Sequence, residues 1–155
     1  MEEQKYNELI NQAMSAMRNG NFEKAIKDLT EAINLNPEGA SAFSFRGMAY
    51  GHLGKFDQGS KDYSKAIELN PNDSTNFLQR GLCCFYINQY EQSINDFTEA
   101  IRLRPDYHLA YMGRGTVYRE LNQNVNARND LEKVISLNPN DVTLSDAKNL
   151  LSNLR

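Results

Sequence analysis

The chain has 155 residues, 40% of them hydrophobic and 24% charged, with a formal net charge of −3. These are ordinary proportions for a globular protein, and the acidic balance supplies none of the clustered positive charge that nucleic-acid phosphates require. No run approaches the roughly 18 apolar residues of a membrane-spanning helix, and the amino-terminal MEEQKYNELI lacks the basic and apolar regions of a cleaved signal peptide.

Pro37, Pro71, Pro105 and Pro139 follow one another at intervals of 34 residues. The segments that end on them, AINLNP, AIELNP, AIRLRP and VISLNP, repeat the period. A fixed period of this length marks stacked supersecondary units in one continuous solenoid, read here as a single domain over 1–155. Alignment on the prolines gives repeats 6–39, 40–73, 74–107 and 108–141, followed by a tail whose helix is expected over 142–154.

The first repeat places Leu9 and Ala13 on one helix and Phe22 and Ala25 on the next. In the second, Phe43, Gly47, Tyr50 and Leu53 fall on one helical face. Gly54 and Lys55 interrupt that pattern, and Phe56 opens a second helix that puts Tyr63, Ala66 and Ile67 on one side before Pro71 ends it. Each repeat is therefore a helical hairpin and the chain is all-α. Small residues recur where the two helices of a hairpin must approach: Ala13, Gly47, Gly81 and Gly115 on the first helix, and Ala25, Gly59, Ser93 and Ala127 on the second. Mid-helix glycine costs about 0.5–1 kcal/mol relative to alanine, so three in register require close packing. Large residues surround the contact: Leu9, Phe43, Phe77 and Tyr111, then Phe22, Phe56 and Tyr90. The fourth repeat breaks this pattern with Asn124, and carries Arg128 where the first and third have Ile26 and Ile94. Its second helix is expected to be the loosest in the stack.

Arg46, Arg80 and Arg114 share a register in which the first repeat has Gln12, whereas Asp28, Asp62, Asp96 and Asp130 occupy a second-helix position in all four. The missing first arginine suggests a ladder between neighbours: Asp28 with Arg46, Asp62 with Arg80, Asp96 with Arg114, and Lys148 of the tail with Asp130. In the tail, Leu144, Ala147, Leu151 and Leu154 form one face opposite Ser145, Lys148, Asn149 and Ser152, as a solvated cap requires.

The cysteines are the neighbours Cys83 and Cys84. Adjacent cysteines on a helix cannot meet ordinary disulfide geometry, and this usage fits a reducing cytoplasm. A metal or nucleophile site combining them with His52 is conceivable, but it lacks the ligand number and spacing of zinc sites. No phosphate-binding glycine loop is present, because Gly47, Gly81 and Gly115 are mid-helix packing residues. No catalytic constellation, cofactor or metal site is expected.

Phe77, Gly81, Tyr90, Ser93, Phe97, Ala100 and Pro105 in the third repeat, with their counterparts elsewhere, make the chain resemble a run of tetratricopeptide repeats from about residue 6 to 154. Ala16 and Cys84 depart from the large aromatic that family prefers. The resemblance implies a right-handed α-solenoid of four helix-turn-helix repeats plus a carboxy-terminal capping helix. It also implies a concave groove lined by the first helices. Its apolar candidates are Ile10, Met14, Met17, Met48, Leu78, Leu82, Phe85, Tyr86 and Met112. Ser44, His52, Thr75, Gln79, Arg18, Arg119 and Glu120 are the polar neighbours. Methionine adapts to irregular partners, so a non-catalytic scaffold for a peptide or amphipathic helix of a partner protein is expected, with self-association as the alternative. Some relatives grip a chaperone's carboxy-terminal carboxylate with cationic side chains; the matching positions here hold Ile10, Met14, Phe45, Thr75 and Gln79, or Ser44, Met48, Gln79, Leu109 and Gly113 one repeat on, which disfavours that ligand.

Overall fold

The computed structural model describes residues 1–154, for Asp141 by its backbone alone. The described residues form nine helices and no strand: α1 (Glu2–Arg18), α2 (Phe22–Leu35), α3 (Ala40–His52), α4 (Phe56–Leu69), α5 (Ser74–Tyr86), α6 (Tyr90–Leu103), α7 (His108–Glu120), α8 (Asn124–Ser136) and α9 (Asp141–Ser152). Each helix packs on the next, and the first helices α1, α3, α5 and α7 also touch in succession, which places them side by side along one face.

The turn inside each hairpin demands a left-handed residue. Gly20 and Gly54 take φ 74° and 70°, and in the same register Asn88 and Asn122 take φ 59° and 56°. Glycine adopts this conformation without steric cost, and asparagine is among the few other residues that visit it. Between hairpins the residue before proline is extended, with φ near −138° at Asn36, Asn70 and Arg104, as the proline ring requires. The fourth junction differs: Leu137 stays helical and Asn138 turns left-handed at φ 48°. Asn21, Asp73 and Asn140 cap α2, α5 and α9 through side-chain oxygens that accept from Lys24, Thr75 and Thr143 amides.

The crossings behave as the small residues require. Ala13, Ala25 and Ala127 are 0% exposed. A Cβ on Gly59 would lie 3.1 Å from the Gly47 carbonyl oxygen, and one on Gly81 would lie 3.0 Å from the Phe97 ring. Ser93 fits the third crossing by donating to the Gly81 carbonyl at 2.7 Å.

The ion pairs lie in a different register from the expected ladder. Arg46 donates through Nε and Nη2 to both oxygens of Asp62, at 2.8 and 2.7 Å. Arg80 engages Asp96 in the same way, at 2.9 and 2.6 Å, and Arg114 engages Asp130, both contacts at 2.8 Å. Each pair joins the two helices of one hairpin, and Lys148, exposed on α9, is not the partner of Asp130. The link to the preceding hairpin is the remaining donor: Nη1 reaches Thr30 from Arg46, Ser64 from Arg80 and Thr98 from Arg114, at 3.1, 3.1 and 2.9 Å. Gln12 has no preceding hydroxyl to serve, and Asp28 is bonded instead by Lys24, at 2.5 Å.

The same pairs account for one of the two aromatic departures, Ala16. Phe43 and Tyr50 flank the Arg46 guanidinium, and Tyr111 and Tyr118 flank that of Arg114. The first repeat has no guanidinium to cover and carries Ala16. The third has Phe77 on one side of Arg80 and the buried Cys84 on the other helical turn, whose thiol hydrogen-bonds with Ser60 and Gln89.

In α8, Val125 is 73% exposed, and Arg128 is exposed in the register where Ile26 and Ile94 pack on core clusters; Leu131 and Val134 further along are 0% exposed. The apolar loss therefore falls in the first half of that helix. On α9, Ala147 is 0% exposed and Ser145, Lys148, Asn149 and Ser152 are exposed, as the cap pattern anticipates. The helix ends at Ser152 and not at 154, with Leu154 buried just beyond it.

Candidate functional site

Two adjoining pockets lie along the first-helix face. One, of about 350 Å³, sits between α3 and α5, with Met48, Gly51, His52, Gln79, Leu82, Cys83 and Tyr86 around it and Phe56 and Tyr63 of α4 behind. The other, of about 340 Å³, sits between α5 and α7, walled by Leu78, Gln79, Leu82, Phe85, Tyr86, Leu109, Met112 and Thr116. They share Gln79, Leu82 and Tyr86. A smaller cleft between Met112 and Thr116 of α7 and Asn149 and Leu150 of α9 continues the line.

The floor of the α5–α7 pocket is a consequence of one missing side chain. Phe97 is 0% exposed, and a Cβ on Gly113 would stand 2.5 Å from its ring. Gly113 thus lets α7 close over Phe97 and leaves an apolar floor, with Leu109 standing 44% exposed at the rim. No Lys, Arg, Asp or Glu lines either the α3–α5 or the α5–α7 pocket.

Ring stacks fix the rim of the α3–α5 pocket. His52 at the end of α3 stacks on Phe22 at the start of α2, 4.5 Å between centroids and 9° from parallel. Tyr86 at the end of α5 stacks on Phe56 at the start of α4, at 4.3 Å and 15°. Tyr86 is nonetheless 59% exposed, so one face of its ring is held and the other is open. The signal for these stacks is a 30-residue spacing of ring-bearing residues, 22 with 52 and 56 with 86.

Of the residues the resemblance assigns to the groove, Met48, His52, Leu82 and Tyr86 meet in the first pocket, and Leu78, Leu82, Phe85, Tyr86 and Met112 in the second. Leu78 is 3% exposed, more wall than contact. Ile10 and Met17 are half-buried against the first core cluster, and Met14 is half-buried on α1, all outside the two pockets. Ser44 is used within the fold, its hydroxyl donating to Asn76 Oδ1 at 2.7 Å. Arg119 pairs with its neighbour Glu120 at 2.7 Å. Leu109, Gly113 and Thr116 line the second pocket without having been assigned to it as contacts; their groove register, though not the reason for a glycine at 113, was visible from Thr75, Gln79 and Leu82 one repeat earlier.

Cys83 lines the same pocket as His52, but burial, with the neighbouring Cys84, pushes its thiol up to about 12. It is therefore the neutral thiol near neutral pH, the less reactive form. Among the described residues no three His, Cys, Asp or Glu side chains gather as a metal site, and no helix is long and apolar enough to cross a membrane.

Tetratricopeptide repeat sequence models match residues 6–38, 40–73 and 78–142. The chain belongs to the tetratricopeptide repeat family. The matched models indicate no enzymatic family. No curated protein matches significantly. Among solved structures, the chain superposes on the MamA protein with a TM-score of 0.86 and 19% identity, covering 98% of this chain and 87% of that one. The second tetratricopeptide repeat domain of human RPAP3, solved in complex with the HSP70 peptide SGPTIEEVD, matches with a TM-score of 0.74 and 22% identity over 76% of this chain and 98% of that one. The tetratricopeptide repeat domain of Arabidopsis OM64 matches with a TM-score of 0.75 and 23% identity, covering 77% and 99%. At these identities the likeness speaks to the fold of the α-solenoid.

Proposed function

We propose that this tetratricopeptide repeat chain is a non-catalytic interaction scaffold that binds a segment of a partner protein along the α3–α5–α7 groove. The observation that carries the reading is the apolar α5–α7 pocket, roofless between the exposed Leu109 and Tyr86 and floored by Phe97 under Gly113. A concave, largely apolar site with a few polar groups is the usual form of a recognition pocket. An apolar side chain of an amphipathic helix or extended segment suits it, with Met48, Leu82, Phe85, Tyr86 and Met112 as the principal contacts and Ile10, Met14, Met17, Ser44 and Arg119 peripheral. RPAP3 domains of this fold have been solved with acidic peptides. Here neither lysine nor arginine lines the two pockets, which argues for an uncharged anchor over a terminal carboxylate.

The polar outer face of α9 supports a solvated end in preference to stacking on another copy. The free thiols Cys83 and Cys84 fit a cytoplasmic setting, where reduced cysteines persist. Peptides selected on the wild type from a phage-displayed random library should bind Leu109→Glu/Met112→Glu at least about tenfold more weakly, because a carboxylate at each rim forces desolvation without a partner. Unchanged affinity in a double variant that retains its helical circular dichroism would place recognition elsewhere.

A further inference from the structure

The α3–α5 pocket contains a polar group that the fold does not use. Tyr63 of α4 is 2% exposed, and its ring lies against Gly47, where a Cβ would stand 3.1 Å away. Among the described residues its hydroxyl has no hydrogen-bond partner. Every fully buried side-chain nitrogen or oxygen among the described residues has a partner; the hydroxyl is therefore the point at which this side chain meets the pocket it lines. The other repeats carry Leu29, Phe97 and Leu131 in this register, all 0% exposed and all without a hydroxyl. A phenol hydroxyl open only to the pocket is left to water until an acceptor of the ligand reaches it.

The surroundings define that acceptor. Gln79 contributes both a donor and an acceptor to the pocket, and no lysine, arginine or carboxylate lines it. An ionised group entering it would find no lysine, arginine or carboxylate opposite it, only the His52 imidazole stacked at the rim, whereas a neutral amide finds a donor for its carbonyl and an acceptor for its N–H. Tyr63 stands on the second helix, behind α3 and α5, so a backbone lying across the groove does not reach it and an inserted side chain does. We infer that the α3–α5 pocket is a subsite for an asparagine or glutamine side chain of the partner segment, its carbonyl accepting from the Tyr63 hydroxyl and its amide bonding Gln79. The adjoining α5–α7 pocket shares Gln79, Leu82 and Tyr86 with it, so the recognised segment presents this carboxamide beside an apolar anchor. The inference rests on the groove reading proposed above.

The test selects random dodecapeptides from a phage-displayed library on the wild-type chain and measures the synthesised winners on wild type, Tyr63→Phe and Leu109→Glu/Met112→Glu. Tyr63→Phe keeps the ring against Gly47, and its circular dichroism and urea midpoint confirm the fold. The expected winners are enriched in asparagine or glutamine next to an apolar residue. Tyr63→Phe weakens them about fivefold, the worth of one net hydrogen bond, and this loss disappears when the peptide's carboxamide residue is changed to alanine. Winners without carboxamide enrichment, or with equal affinity for Tyr63→Phe, overturn the subsite while leaving the groove reading intact if the rim variant still abolishes binding. Winners indifferent to both variants, or no winners at all, overturn both.

Discussion

Glycines in this chain do opposite work at positions that look alike in sequence. Gly51, near the end of α3, has nothing within 4 Å of a built Cβ, whereas Gly113 in α7 would drive one into the Phe97 ring at 2.5 Å. Gly51→Ala should stabilise the protein by about 0.5–1 kcal/mol through helix propensity alone. Gly113→Ala should destabilise it by about 1–3 kcal/mol through overpacking. Urea melts of the two variants check both signs. Gly47, Gly81 and Gly115 were legible because the period repeats them; Gly113 was not, since its counterparts Phe45 and Gln79 are large and only the Phe97 ring beneath explains it. Cys83 adds a pH dependence. Its thiol is raised from 9.0 to about 12 by burial and by Cys84, so the folded state favours the protonated form. That contribution is complete below the unfolded value and is lost as pH rises from about 9 toward 12. The urea midpoint should fall across this window, and less steeply in Cys83→Ala; identical slopes would remove Cys83 as the cause.

Between elements, the arginine–aspartate pairs tie each hairpin together and brace it on the one before. Asp96 is 2% exposed at its side chain and Arg80 17%, so removing one partner strands a buried charge. Arg80→Met should cost about 3–5 kcal/mol, and Arg80→Met/Asp96→Leu should recover most of it because no charge is left unpaired; equal losses in single and double variants would contradict that. Hydrogen bonding to Asp62, Asp96 and Asp130 raises Arg46, Arg80 and Arg114 above the ordinary arginine range. The stability from that side of the pairs is thus present at every pH below the unfolded arginine value. Both residue types of the ladder were readable from the period, but their register was not. An arginine is 16 residues from the aspartate of its own hairpin and 18 from the preceding one, and a spacing argument cannot separate the two. The missing arginine at Gln12 did point backward along the stack, through the spare Nη1 donor and the hydroxyls of Thr30, Ser64 and Thr98. For α8, the exposed Val125 and Arg128 predict faster amide exchange in its first turns than at the equivalent turns of α2 and α6, measurable by native-state hydrogen exchange.

Over the whole molecule, the 34-residue period dictates four hairpins, and the stacking of first helices follows because each hairpin buries one face on the next. That much of the architecture, including the solvated outer face of α9, was legible from recurring small residues and prolines. The groove's detail was less so. Met14 and Met48 share a register, yet of the two only Met48 lines the α3–α5 or α5–α7 pocket, and the period alone does not distinguish them. Four of the five methionines, Met14, Met17, Met48 and Met112, are on the first-helix face, which makes their ε-methyl groups natural reporters of occupancy. The most direct measurement is a methyl NMR titration of ¹³C-methionine-labelled protein with a peptide selected on it. The account predicts that Met48 and Met112 shift strongly on binding while Met1 does not move. A bound peptide that leaves Met48 and Met112 unshifted would contradict recognition in the concave groove.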